Sequence, residues 1–174
     1  MRAGLILAVL LLSGCAHERL AQSPPPGVNL SGHWRLDAAE SDDPQGVVQA
    51  FAAAHGRSAL RASVGDIVEA MHWPGKDLVI KQAGGVVAFS SDGKSRVYQP
   101  WSSSHATARQ GRDARPLCGW QGASLRVSML PDDDGPMIEI RYRVSSDRRR
   151  LLQKITQGTG RGRLEMVRVW KRIA

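Results

Sequence analysis

The hydrophobic pattern of this chain changes near residue 77, and the change predicts a β-rich protein with helices only near its start. Beyond that point apolar residues recur at every second position, as they do in strands that bury one face. The clearest alternation runs over residues 138–144, where Glu139, Arg141 and Arg143 separate four apolar residues. Glycine pairs and Asp-Gly between the segments predict tight hairpin turns. The predicted strands are residues 32–36, 78–81, 87–89, a return strand around Val97, 117–121, 125–130, 138–144, 151–156 and 164–172.

Between the first two predicted strands the apolar period lengthens to that of helices. Asp43 is suited to the N-cap of the first helix and Pro44 to its first position, and Gly56 would end it. The second helix is predicted from apolar residues spaced by three and four positions over residues 60–71. Trp73-Pro74-Gly75 would end that helix.

These elements together predict a mainly β fold. About eight short strands at a spacing of roughly 8–12 residues are typical of an antiparallel meander curled into a barrel or sandwich. The two helices form an insertion after the first strand. The polar segment 100–114 holds at most a weak strand, over residues 104–109, and residues 131–136 (PDDDGP) predict a strong turn.

The N-terminus carries the pattern of an export signal. Arg2 supplies a positive charge, residues 5–12 are apolar, and Leu12-Ser13-Gly14-Cys15 follows. This run resembles the lipobox of bacterial lipoproteins, in which a signal peptide, here residues 1–14, is removed and the Cys is acylated with fatty acids such as palmitate. The resemblance implies that Cys15 anchors the protein, and Ala16 in the next position implies the outer membrane, facing the periplasm. The alternative is an ordinary secretory signal with an incidental Cys.

The following residues predict a spacer before the folded part. Residues 15–29 include Ser23-Pro24-Pro25-Pro26-Gly27, have no hydrophobic period, and predict a lipidated flexible tether. Residues 30–174 are then one β-rich domain, long enough to bury a core by itself.

The formal net charge of +8 comes largely from arginine after residue 109. The densest cluster is Arg148, Arg149 and Arg150, which we interpret as a basic surface, and more cations follow in residues 161–172. Such a surface attracts anions, which for an exported protein are lipopolysaccharide, phospholipid headgroups or acidic glycans rather than nucleic acid. The alternative is that these side chains are solvated and cover apolar surface with their stems.

Cys118 and Trp170 are both predicted to lie in the core. With Cys15 taken by lipid, Cys118 has no partner for an intrachain disulfide, and its apolar neighbours predict a buried strand position. Trp170 follows alternating apolar residues, and we interpret it as closing the core, although Trp also favours membrane interfaces.

The first strand suggests a second family. Gly32-x-Trp34 followed by a meander that ends in arginines resembles the lipocalin and calycin barrels. That resemblance implies that Trp34 packs across the closed end of the barrel beneath an arginine of the last strand, for which Arg168 is the first candidate and Arg172 the second. The same opening is similar to uncharacterised envelope proteins with a GxWxLD start. Trp34 could equally be an ordinary core residue, and a small barrel can be filled by its own side chains.

No motif predicts catalysis, a metal or a cofactor. The five His residues lack metal-ligand spacing, and three consecutive Asp residues at 132–134 suit an exposed turn better than a calcium loop. Ser104-His105 lie on opposite faces of any strand, and residues 158–162 lack the Lys-Ser/Thr of a phosphate loop.

We therefore predict a non-enzymatic lipoprotein of the outer membrane with a binding or structural role. One hypothesis is lipocalin-like binding of an amphiphile inside the barrel. The alternative is an accessory envelope protein that contacts another protein or an anionic glycolipid through its basic surface.

Overall fold

The computed structural model describes residues 20–56, 71–100, 117–129, 137–158 and 162–173. The signal peptide and the lipobox predicted from the sequence lie outside these residues. The predicted weak strand over residues 104–109 and the acidic turn over residues 131–136 also lie outside them.

The described residues form one helix and nine strands, where the sequence predicted about eight strands. Their bounds are β1 Gly32–Leu36, α1 Pro44–His55, β2 Asp77–Ala83, β3 Val86–Ser91, β4 Lys94–Tyr98, β5 Leu117–Gln121, β6 Ser124–Met129, β7 Ile138–Val144, β8 Arg150–Gln157 and β9 Leu164–Ile173.

All nine strands belong to one antiparallel sheet in the order β4-β3-β2-β1-β9-β8-β7-β6-β5. Strands that are neighbours in sequence pair with each other, except β4 and β5, and β1 also pairs with β9, where Trp34 is opposite Arg172. The sheet curls into a nearly closed barrel with β4 and β5 as its two outer strands. The ring of Phe89 on β3 lies 4.6 Å from that of Tyr142 on β7, which is a contact across the interior.

The hairpin turns form where the sequence places its turn residues. Asp92 and Gly93 both have positive φ, 49° and 72°, as a two-residue type I′ turn requires. This turn fixes the β3–β4 register, with Phe89 opposite Arg96. The inward faces of the strands carry the core, whose largest fully buried side chains are Trp34, Trp120, Trp170, Tyr142 and Phe89.

Helix α1 has the predicted termini. The Asp43 carboxylate accepts a hydrogen bond from the backbone N–H of Gly46 at 2.9 Å, Pro44 is the first helical residue, and Gly56 caps the end. Val47, Val48 and Phe51 pack against the core from one face of the helix.

The predicted insertion of two helices is not seen; the structure describes one. The second helix was predicted over residues 60–71; residues 60–70 lie outside the described residues, and Met71 and His72 have helical backbone. Met71 is fully buried, and the chain then runs through Trp73 and Pro74 into β2.

The residues before β1 lie against one end of the barrel, which we term the closed end. Leu20 is only 4% exposed, and Ala21 exchanges two backbone hydrogen bonds of 2.8 Å with Trp120 of β5. At the other end of this segment Leu30 is buried and accepts a hydrogen bond from the indole of Trp34. The flexible tether was predicted over residues 15–29. Because Leu20 and Ala21 are fixed against the barrel, a free tether can include only residues before Leu20, and residues 15–19 lie outside the described part.

Candidate binding site in the barrel interior

Three polar side chains form a row across the inner face of the sheet. Tyr142 on β7 is opposite Gln153 on β8, and Gln153 is opposite Arg168 on β9. Each lies two positions from a buried apolar residue of its own strand, so the strand period turns all three inward. The Gln153 amide donates to the Tyr142 hydroxyl at 3.1 Å, which joins two members of the row directly.

The chain segment that leads into β2 contacts this row. This segment, the strap, comprises residues 71–75 and precedes β2. Gln153 Nε2 donates to the Trp73 carbonyl at 3.3 Å, and Arg168 Nη1 donates to the Pro74 carbonyl at 2.6 Å. The strap is held from the other side because Gly75 N–H donates to Ser91 Oγ at 2.9 Å. Backbone carbonyls of the strap therefore satisfy part of the polar row.

Arg168 is a cation in the interior, with 5% of its surface exposed. Its guanidinium lies 4.7 Å from the ring of Trp170, and within the described residues no carboxylate forms an ion pair with it. Burial lowers the pKa of Arg168 to about 10, and the smaller effects of Tyr142 and Asp92 oppose that shift. A buried cation without a paired anion is costly, so this position favours a negatively charged ligand group.

Aromatic and cationic side chains of β3 and β4 line the wall facing this row. The Arg96 guanidinium lies 4.3 Å from the ring of Trp73, and Phe89 meets Tyr98 edge to face with centroids 5.3 Å apart. Burial raises the pKa of the Tyr98 hydroxyl, while Arg96 lowers it in part. Burial also raises the pKa of Tyr142 well above its usual value, so both phenols stay neutral donors at ordinary pH.

Several buried polar atoms in this region have no hydrogen-bond partner among the described residues. They are the Oε1 atom of Gln153 and the indole nitrogens of Trp73 and Trp170. Buried polar groups are almost always satisfied by protein, water or ligand, so these atoms are candidates for hydrogen bonds to water or to a ligand group. The interior combines apolar rings with a polar row, as sites for small amphiphiles do.

The predicted barrel-end residues come together, with one exchange of roles. Trp34 is fully buried, and the guanidinium above its ring, at 4.2 Å, is that of Arg172. Arg168, the first candidate for this role, lies four residues earlier on β9, inside the barrel, and its guanidinium is over Trp170 instead. A Cβ at Gly32 would approach Arg172 Nη1 to 2.7 Å, so the absence of a side chain at Gly32 makes room for the cation.

The predicted basic cluster lies in the turn between β7 and β8 and on the first residue of β8. Arg148, Arg149 and Arg150 are all exposed. Arg150 forms an ion pair of 3.1 Å with Glu40, and Arg148 Nη2 lies 3.5 Å from the carbonyl of Gly27. The cluster is therefore on the outside of the barrel, separate from Arg168, although the sequence groups all four arginines near the C-terminus.

The burial predicted for Cys118 and Trp170 is confirmed, because both side chains lie in the core. The sequence reasoning missed Tyr142 and Gln153 as interior polar residues and Trp73 as part of the strap. A signal for Gln153 was present, since it occupies an inward position between Leu151 and Ile155. Nothing in the sequence predicted that the strap would contact it.

Residues 20–56, 71–100, 117–129, 137–158 and 162–173 contain no group of three or more His, Cys, Asp or Glu side chains placed to hold a metal ion. In the same ranges no helix has the length and apolar character needed to span a bilayer.

Comparison with known proteins places the chain by its fold alone. No family model matches the sequence, and no curated protein matches it. Among solved structures it resembles the secretory abundant heat soluble protein 4 of Ramazzottius varieornatus. The TM-score is 0.53 at 16% identity, over 87% of this chain and 100% of that one.

Proposed function

We propose that this protein is a lipid-anchored barrel of the bacterial outer membrane that binds an amphiphile with an anionic headgroup. The anionic group would lie at Arg168 and the apolar part among the aromatic side chains of the interior. The role is binding rather than catalysis.

The observation that carries this proposal is the buried, unpaired guanidinium of Arg168. Arg168 donates to the Pro74 carbonyl and forms no ion pair with a described carboxylate, the charge of Asp92 acts on it only as a smaller effect, and Gln153 beside it keeps one amide oxygen unsatisfied. A carboxylate, sulfate or phosphate would pair with Arg168, and charge-assisted hydrogen bonds are the strongest kind available to it. The strap contacts the same groups, so ligand entry requires the strap to move.

The test of ligand binding compares two arginine variants. Arg168→Gln is expected to weaken binding of oleate roughly 10- to 100-fold, because a hydrogen bond to a charged group contributes about 1.5–3 kcal/mol. Arg163→Gln, an exposed position just before β9, is expected to bind as the unmodified protein does. Oleate binding is measured by the change in tryptophan fluorescence, and oleyl alcohol serves as the uncharged probe.

Equal oleate affinity in the Arg168 and Arg163 variants would refute a headgroup site at Arg168. Failure of the unmodified protein to bind either probe, together with no co-purified lipid in native mass spectrometry, would refute an interior ligand altogether. Thermal unfolding of both variants checks that the barrel remains folded.

The anchor rests on the sequence around Cys15. A Cys15→Ala variant is expected to lose labelling by a fatty-acid probe in cells and to be released from the membrane fraction, because a protein without its acyl chains has little membrane affinity. Cys118→Ala is the matched control and should label as the unmodified protein does. Labelling that survives in the Cys15 variant would remove the lipoprotein proposal.

A second candidate function is favoured by the exposed cations of the β7–β8 turn. In this alternative the protein is an accessory component that contacts an envelope protein or an anionic glycolipid through Arg148, Arg149 and Arg150. Such a contact would weaken as salt rises, because exposed charges are screened. Salt-insensitive association would exclude it.

A further inference from the structure

We infer that the closed end of the barrel faces the membrane and that the β7–β8 turn contacts anionic lipid headgroups. This inference rests on the proposed acylation of Cys15. It adds an orientation and a partner surface, which neither the anchor nor the interior site specifies.

The first step is the point at which the chain leaves the barrel. Leu20 is buried, and the backbone N–H and the carbonyl of Ala21 both form hydrogen bonds with the backbone of Trp120. Cys15 precedes Leu20 by five positions, and five extended residues reach at most about 18 Å. The acylated residue can therefore stand no farther than that from Leu20, the residue that precedes the bridge between Ala21 and Trp120 at the edge of β5.

The second step identifies which end of the barrel this is. In an antiparallel meander the hairpin turns alternate between the two ends, so the β5–β6 turn and the β7–β8 turn are at the same end. Trp120 is the residue next to the last of β5 and so lies near that end. The two turns are two strand spacings apart, about 10 Å. The contact between Arg148 and the Gly27 carbonyl independently brings the N-terminal segment to the β7–β8 turn.

The third step is the charge on this end. Arg148 and Arg149 are exposed and form no ion pair with a described residue, whereas Arg150 is paired with Glu40. The acid of the turn, Asp147, accepts hydrogen bonds from the Ser145 hydroxyl and the Arg149 backbone N–H, and these lower its pKa. Asp147 stays ionised, so the turn carries two unpaired cations and one carboxylate, which leaves an excess of positive charge on the side from which the anchor leaves, and a surface of anionic lipid complements that excess.

The orientation is tested on the full acylated protein in phosphatidylcholine–phosphatidylglycerol vesicles. A fluorophore is attached at Arg149→Cys or, as the control at the opposite end, at Lys94→Cys; each change removes one exposed cation. The native Cys118 is buried and does not compete for the label. A nitroxide on the lipid headgroup is expected to quench the label at residue 149 more than the label at residue 94. Equal quenching, or stronger quenching at residue 94, overturns the inference.

The charge contact is tested separately with the unacylated Cys15→Ala full chain. Replacing both Arg148 and Arg149 by Gln is expected to weaken its partition into the same vesicles by about fivefold per cation, since each contributes about 1 kcal/mol near an anionic surface. The double variant Lys76→Gln/Lys94→Gln removes two exposed cations from the other end and is expected to leave the partition unchanged.

The outcomes separate this inference from the proposed anchor. Absence of acylation at Cys15, seen by mass spectrometry of the mature protein, refutes the anchor and with it the inference. Normal acylation combined with equal loss of partition in the two double variants refutes the inference alone. Unchanged partition of the Arg148/Arg149 double variant also overturns it.

Discussion

Two arginines of β9, Arg168 and Arg172, have different roles because their surroundings differ. Arg168 and Arg172 lie four positions apart on the same inward-facing side of β9. Arg172 lies at the closed end, where it covers Trp34 and donates to the Arg148 carbonyl at 2.8 Å. Arg168 lies deeper, against the strap, and burial lowers its pKa. An arginine thus closes the barrel end at position 172 and is a candidate for binding a ligand at position 168.

Cys118 gives a test at this scale. The thiol is 1% exposed, and burial raises its pKa to about 12, so the folded protein holds it neutral and shielded. We expect no reaction with a maleimide at neutral pH in the folded state and full reaction in guanidinium chloride, because the thiolate is the reactive species. The reaction is followed by mass spectrometry of the Cys15→Ala protein.

The pKa of Cys118 also gives the direction of a pH effect. Because burial raises the pKa of the Cys118 thiol in the folded state, the contribution of this group to the free energy of unfolding is fully present below its unfolded pKa of 9.0. That contribution is lost as the pH rises from 9.0 toward about 12. Rapid labelling of the folded protein at neutral pH would contradict the buried position.

At the scale of the element, the predictions succeeded where the local sequence is sufficient. Gly32–Leu36 and Ile138–Val144 have the predicted bounds, because an alternating apolar pattern between turn residues specifies one strand. Helix α1 begins and ends as predicted, because Asp43, Pro44 and Gly56 act through local hydrogen bonds and backbone preferences. The insertion was predicted less well: one helix is described, and the strap that follows is held by tertiary contacts to β8 and β9.

At the scale of the whole molecule, the segment before β1 links distant parts of the barrel. It pairs with β5, which is the last strand of the sheet order, and continues to β1, in the middle of it. The chain from Leu20 to Leu30 therefore covers the closed end and protects one edge of the sheet. An unpaired edge strand is a site for association between chains, so this cover has a protective effect.

A substitution at Leu20 tests this role. Leu20→Ala is expected to lower the free energy of unfolding by about 2–5 kcal/mol, since it removes a buried aliphatic side chain. Val97→Ala on β4 is the control, because Val97 is 65% exposed and such changes stay within about 0.5 kcal/mol. Both are measured by urea denaturation of the Cys15→Ala protein. A Leu20 variant as stable as the Val97 variant would mean that residues 15–29 are a free tether throughout.

The amino-acid sequence alone was enough to define a mainly β chain, the bounds of most strands, the first helix and the buried positions of Cys118 and Trp170. These features depend on side-chain period and on backbone preferences over a few residues. The tertiary structure decided which inward polar residues meet. Tyr142, Gln153 and Arg168 meet because the register of the adjacent strands β7, β8 and β9 places them opposite one another, and the curl of the barrel brings the strap within hydrogen-bonding distance of Gln153 and Arg168. It likewise decided that Arg172 rather than Arg168 covers Trp34, because both face inward and only their depth in the barrel distinguishes them.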